Sequence, residues 1–343
     1  MNRVCITGVG LVSSLGVGRP AHLPPGPAGR DDVAFAPFPI HPLPAALGME
    51  SVIPRREYRQ MENFQRLGTY AAGLAIADAD AGGLVAGMDL MVAAGGGERD
   101  WALDEAIQAE LPGIAPEDRE AWLHQRLANG LRPTLFLAQL PNLLAGSISI
   151  VHKVAGSSRT LMGEEGAGAE ALRVAAARIA TGTAGMVLVG AGLVAERWDI
   201  VLVFAAAMHR GAWCPAVGRA RMVLGSQAGF LVLESEAHAK ARGARILAAL
   251  RDVRVDAGPQ DGRAARFAAL APLEGGLSVA PFGGMAVRGA EMLADRLGAG
   301  LEAAFPVGVA LAALRVEAGQ PAITVHGFGH GHGEFAATVE PCA

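Results

Sequence analysis

The residues best suited to chemistry in this chain fall in three places. The first is Gly156-Ser157-Ser158-Arg159-Thr160-Leu161-Met162-Gly163-Glu164-Glu165-Gly166-Ala167-Gly168, which leads into an Ala-rich helical stretch over residues 169–181. A strand, a turn of small residues and a helix, in that order, present a side chain at a helix N-terminus. Free N–H groups and the helix dipole stabilise negative charge there, and enzymes expose nucleophiles at such points. Here the position holds two carboxylates, Glu164 and Glu165, and the dipole alone favours acids at a helix start. The second place is Val325-His326-Gly327-Phe328-Gly329-His330-Gly331-His332-Gly333. Histidines in a cluster can bind metal, but no His-x-x-x-His lies on a helix and Glu334 is the one obvious carboxylate partner. Glycine at every second position implies unusual backbone angles, so a tight loop is expected and no metal.

The third place is a pair of glycine clusters. Gly190-Ala191-Gly192-Leu193-Val194-Ala195 follows an apolar strand, as a dinucleotide fingerprint would, but the acidic residue wanted about 20 positions on is missing from residues 207–217. Gly8-Val9-Gly10 has Ser13 where a third glycine belongs. Both read as sharp exit turns from buried strands, and no cofactor is expected.

The elements that must position these residues alternate in type. Strands are expected over residues 4–10, 90–94, 186–189, 230–234 and 322–325, and helices over 63–81, 169–181, 236–242 and 303–316. Such alternation predicts a parallel sheet in a layered α/β fold. The Pro-rich segment 19–44 reads as an irregular surface excursion.

The chain has 343 residues, 51% hydrophobic and 18% charged, with 46 Gly and 20 Pro. It can bury a large core, which excludes intrinsic disorder. With only 5% aromatic residues, that core must be built mainly from Ala, Val, Leu and Gly. The net charge of −4 argues against binding nucleic acid by phosphate neutralisation. Three cysteines, Cys5, Cys214 and Cys342, form no disulfide framework and no Cys-x-x-Cys pair. The longest apolar stretches, 186–195 and 305–314, fall far short of the ~20 residues of a membrane span. A cytoplasmic location is expected.

Several segments carry a resemblance that extends over nearly the whole chain. Arg3-Val4-Cys5-Ile6-Thr7-Gly8-Val9-Gly10-Leu11-Val12-Ser13-Ser14-Leu15-Gly16, Arg59-Gln60-Met61-Glu62-Asn63-Phe64, Leu140-Pro141-Asn142-Leu143-Leu144-Ala145-Gly146, Gly225-Ser226-Gln227-Ala228-Gly229-Phe230-Leu231-Val232-Leu233-Glu234 and Gly327-Phe328-Gly329 resemble, in order, segments of the β-ketoacyl-acyl-carrier-protein synthases of the thiolase fold. The resemblance implies a thiolase-like α-β-α-β-α fold truncated in its C-terminal half. It divides the chain into a ketosynthase-like half, 1–240, and a shortened half, 241–343. It makes Phe328 the counterpart of a residue that gates the acyl pocket, with Gly327, Gly329 and His326 around it. It also implies a dimer interface using Asn142, Ser147, Ser149, Ser158, Thr160 and Met162.

The departures bear on function. Counted without gaps from Asn142, the family's nucleophilic cysteine falls on Glu165, which cannot carry an acyl chain as a thioester. The two histidines that decarboxylate malonyl-carrier protein in active members have no counterpart in residues 253–284, and no imidazole is expected near Glu165. This pattern resembles the chain length factor, a silent paralogue that pairs with an active ketosynthase. More narrowly, residues 93–100 and 132–168 resemble truncated synthase-like proteins associated with very-long-chain acyl groups of lipid A. The resemblance thus implies a heterodimer with an active ketosynthase and an acyl-carrier-protein partner. The alternatives are a malonyl-carrier-protein decarboxylase using Glu165 and a homodimeric acyl or acyl-carrier binding module.

Overall fold

A computed structural model of the chain describes all residues except 25, 27, 28, 260 and 343, together with every side chain in its helices and strands but that of residue 138. Ten strands form the main sheet: β1 (Val4–Ser13), β2 (Asp89–Ala93), β3 (Ser158–Leu161), β4 (Met186–Leu193), β5 (Gln227–Ser235), β6 (Ala248–Asp256), β7 (Leu277–Ser278), β8 (Glu291–Met292), β9 (Ile323–Phe328) and β10 (Glu334–Glu340). Their order is β8-β7-β9-β10-β6-β1-β5-β4-β2-β3, with the short strand Gly16–Val17 added as a hairpin arm on β1. The helices that matter for the site are α1 (Asn63–Asp78), α2 (Leu143–His152), α3 (Glu164–Ala180), α4 (Arg263–Leu270) and α5 (Ala304–Glu317).

The halves of this sheet are joined only through β1 and β6, where Val4–Ile6 pair with Leu250–Ala248. Helices α3 and α5 contact strands of both halves, α1 and α2 cover the outer face of the first half, and α4 lies on β9 and β10 of the second. The layers are therefore α, β, α, β, α, as the resemblance implies. The outermost layer of the second half is thin, with α4 its one helix of eight residues or more among the described residues.

Strand direction departs from the expected parallel sheet. Only β3-β2-β4 at one end and β8-β7-β9 at the other are parallel. The centre, from β4 through β5, β1, β6 and β10 to β9, is antiparallel throughout. Alternation of element types does not determine direction where strands follow one another without a crossover helix, as β9 and β10 do. Strands β4 and β5 are buried along their whole length on both faces, because helices cover both sides of the sheet. Helix α5 is buried nearly all round, which explains why its residues show no polar stripe.

The glycine clusters are not exit turns. Gly8 and Gly10 lie within β1, and Gly190 and Gly192 lie within β4. Their role is close approach: a Cβ at Gly8 or Gly10 would run into the backbone carbonyl oxygen of Ala75 or Ala71 on α1, and one at Gly190 into that of Gly229. The helix can sit directly on the strand only because these positions lack a side chain. Gly10→Ala is therefore expected to lower the unfolding free energy by about 1–3 kcal/mol in a urea titration. Gly82→Ala, where an added methyl meets open space, should leave it unchanged.

Candidate functional site

Helix α3 starts in a strained turn. Gly163 has φ 133° and Glu164, the first helical residue, has φ 55°, a conformation that costs a non-glycine residue of order 1–3 kcal/mol. The turn aims Glu165 inward, leaving it 1% exposed. The expected helix start at residue 169 is therefore too late: the helix begins at Glu164 and includes both acids.

An imidazole does lie against Glu165, contrary to the expectation from sequence. His330 donates its backbone N–H to Glu165 Oε1 at 3.1 Å, and its ring Nδ1 lies 3.3 and 3.2 Å from the two carboxylate oxygens. His330 Nε2 is 3.6 Å from Glu164 Oε2. Burial of the ring works against its charged form, but the Glu165 hydrogen bond and the Glu165 and Glu164 charges outweigh it. With Arg263 opposing them, they still hold the His330 pKa above the ordinary histidine value. The edge of Phe204 closes the other side of the ring.

The loop that delivers His330 is tied down by Glu334 and Arg263. Glu334, the one carboxylate the sequence sets beside the histidines, is fully buried and pairs with Arg263 Nε at 2.5 Å and Arg266 Nε at 2.9 Å. Arg263 also donates to the carbonyls of Gly329 at 2.7 Å and Gly331 at 3.2 Å. Of the alternating glycines, only Gly333 has a left-handed φ, at 86°. Gly329 is required by crowding instead, since a Cβ there would meet the His332 carbonyl and approach Glu165 Oε2 to 3.1 Å.

A third carboxyl faces the same spot from a 3-10 turn, residues Leu301–Ala303, that leads into α5. Glu302 is 4% exposed. Burial first, and then the charges of Glu165 and Glu164, push its pKa up to about 7 against the hydrogen bonds of backbone N–H groups. Glu164, Glu302 and His332 line a cavity of about 390 Å³ whose walls include Phe64, Met162, Leu193, Val203 and Phe204, with the buried Arg197–Asp199 ion pair at one side. One donor atom each from Glu164, Glu165 and His330 lies within 4.8 Å of the others. The positive end of α3 faces this group.

The remaining expected site residues are placed as follows. Phe328 is buried between Phe267 and Phe282, with ring centroids 5.4 and 5.5 Å away, and it does not line the cavity beside Glu164. Gly327 lies on β9 against Val279 and Phe335. His326 is fully buried on the same strand with neither ring nitrogen hydrogen-bonded, and burial pushes its pKa down to about 4. Asn142, Ser158 and Met162 are exposed, and Ser147, Ser149 and Thr160 are half-buried. These six lie along α2 and the edge strand β3.

The β-ketoacyl synthase N-terminal domain family matches residues 49–239, more than half of the chain. The chain belongs to the β-ketoacyl synthase family. Among curated synthases, 3-oxoacyl-[acyl-carrier-protein] synthase 2 of Rhizobium meliloti (strain 1021) is 28% identical over 288 residues, 72% of this chain. The matched region spans 62% of that relative's own length. A β-ketoacyl synthase from Burkholderia phymatum STM815 superposes with a TM-score of 0.78 at 18% identity, each chain covered completely. The ishigamide ketosynthase/chain length factor does so with 0.77, again at 18% identity and complete coverage. AntDE:AntF, a type II polyketide synthase acyl-carrier protein in complex with its ketosynthase, gives 0.74 at 18% identity over 99% of each chain. This ketosynthase-like chain therefore shares their fold. Among its described residues no helix is long and apolar enough to cross a membrane.

The pH dependence follows from Glu302. Its folded pKa, about 7, lies above the unfolded value near 4.5. The stability it contributes is therefore complete below about pH 4.5 and lost as pH rises through 7. Glu302→Gln should be more stable than wild type at pH 8 by up to about 3 kcal/mol, the difference closing near pH 4 in urea titrations. His330 is raised in the same sense, so its contribution also fades with rising pH. In Glu165→Gln its NMR titration should move to lower pH.

Proposed function

We propose that this chain is a non-catalytic, chain-length-factor-type subunit that pairs with an active β-ketoacyl synthase in fatty-acid or polyketide chain elongation. The observation that carries this reading is Glu165. By the resemblance it occupies the helix start where condensing members present cysteine, and both its carboxylate oxygens are engaged by His330. A carboxylate so held neither attacks a thioester nor stores an acyl group as one. The partner supplies that chemistry, and this chain supplies apolar wall; Phe328, Gly327, Gly329 and His326 would back its acyl side from behind the cavity lining.

The proposed contact with the partner is β3 and α2. Strand β3 is the open edge of the sheet, with Ser158 and Arg159 exposed. Beside it Met162 is 65% and Ile150 59% exposed. A strand open along one edge and flanked by large apolar side chains is a surface suited to sheet extension by a second chain. An acyl carrier protein is the further partner. Support comes from the ketosynthase/chain length factor and ketosynthase–carrier complexes among the structural neighbours.

A malonyl-carrier-protein decarboxylase is the second reading, and His330 favours it by providing a donor beside Glu165. Native mass spectrometry of the chain, alone and co-expressed with an active β-ketoacyl synthase from its own genome, separates the readings. The expected result is a 1:1 complex and no carbon dioxide release from malonyl-carrier protein by this chain alone. Release that Glu165→Gln abolishes would establish the decarboxylase. A homodimer that binds acyl-carrier protein and ignores the synthase would establish a binding module. Met162→Asp should weaken the heterodimer at least about tenfold, while leaving the thermal midpoint of the isolated chain in place.

A further inference from the structure

Far from the carboxylate site, the fold brings two cysteines together that the sequence separates by 337 positions. Cys5 lies on β1 and is fully buried. Cys342 follows β10 and is half-buried. Strand β10 is two places from β1 in the sheet, with β6 between them, so the segment after β10 crosses the end of β6 to reach β1. Arg3 fastens it there. Its guanidinium donates to Glu340 Oε1 and to the Pro341 carbonyl, each at 3.3 Å. The two sulfurs stand 3.7 Å apart, both as free thiols.

The two thiols are unequal. Burial first, then Cys342 and Glu236, push the Cys5 thiol up to about 12, against the pull of Arg3. Cys342 is the accessible member, while Arg3 and Lys240 stand near both sulfurs. Exposure marks the thiol that meets an oxidant first.

We propose that Cys342 and Cys5 are a redox-active pair in which a hydroperoxide converts the two thiols into an intrachain disulfide linking β1 to the segment after β10. The thiolate of Cys342 attacks one peroxide oxygen, and the O–O bond breaks. Once the released oxygen takes up a proton, this leaves a sulfenic acid and water, or an alcohol from an organic hydroperoxide. The Cys5 sulfur then attacks the Cys342 sulfur. The S–O bond breaks, and the hydroxyl departs as water with the proton of Cys5. Two thiols lose two electrons in total, the peroxide gains them, and a dithiol reductant reverses the step by exchange.

The test uses the full chain with hydrogen peroxide as the oxidant. The intact mass should fall by about 2 Da, and non-reducing peptide maps should join the peptides holding residues 5 and 342. The thermal midpoint should rise, and dithiothreitol should restore both mass and midpoint. Cys214→Ser should behave as wild type. Cys342→Ser, which leaves the buried strand intact, should lose the crosslink and the midpoint shift together. The proposal is overturned if peroxide leaves both thiols open to alkylation, if Cys342 gains about 32 Da as a sulfinic acid while Cys5 stays free, or if the crosslink runs through Cys214.

Discussion

The structure depends on how closely its two central helices can approach their neighbours. Helix α3 reaches the turn before α5 at Gly168, where a Cβ would strike the backbone carbonyl of Glu302, and α5 meets β5 at Gly229 and, at its own Gly308, Val325 of β9 and Val279 just past β7. Interiors are packed near crystal density, so each of these glycines sets a spacing that a methyl group would widen. The low aromatic content has its cause here, since a middle layer squeezed between two sheet halves is filled by Gly, Ala and Val. That spacing also brings Glu165, on α3, and Glu302, in the turn before α5, close enough for their charges to act on each other.

Three carboxyl groups and one imidazole in so small a space cannot all carry their ordinary charge. The arrangement resolves the conflict in two ways. The His330 imidazole, set between Glu164 and Glu165, has its pKa held above the ordinary histidine value, while burial and the two neighbouring carboxylates push that of Glu302 up to about 7. Arg263 ties the histidine's loop to the sheet through Glu334, so the imidazole is fixed by an ion pair that is itself buried. A site wired in this way has spent its polar groups on one another.

Much of the fold was legible because periodicity and glycine punctuation report local structure. Helices α1 and α5 and strands β2 and β5 fall where the pattern puts them, within a few residues. What the pattern could not carry was pairing. Strand direction depends on which strands lack a crossover, and Gly190 and Gly192 look like a turn signal until α1 is seen lying against that sheet. The approach of His330 to Glu165 spans 165 positions and leaves no trace in spacing. The nearest signal was the resemblance itself, which set the Gly-Phe-Gly segment and the helix start of Glu165 side by side as parts of one family's site. Cys5 and Cys342 offered nothing, since neither sits in a spaced motif.

The open flank of β3 has a consequence for the life of the chain. A strand with unsatisfied backbone groups can pair with an extended segment it meets, and β3 is guarded only by its short length and the charge of Arg159, with no proline in it. Newly made copies would then compete between self-association and capture. Their survival would be tied to the supply of whatever occupies that flank, and an excess over it would be removed by proteolysis or lost as aggregate.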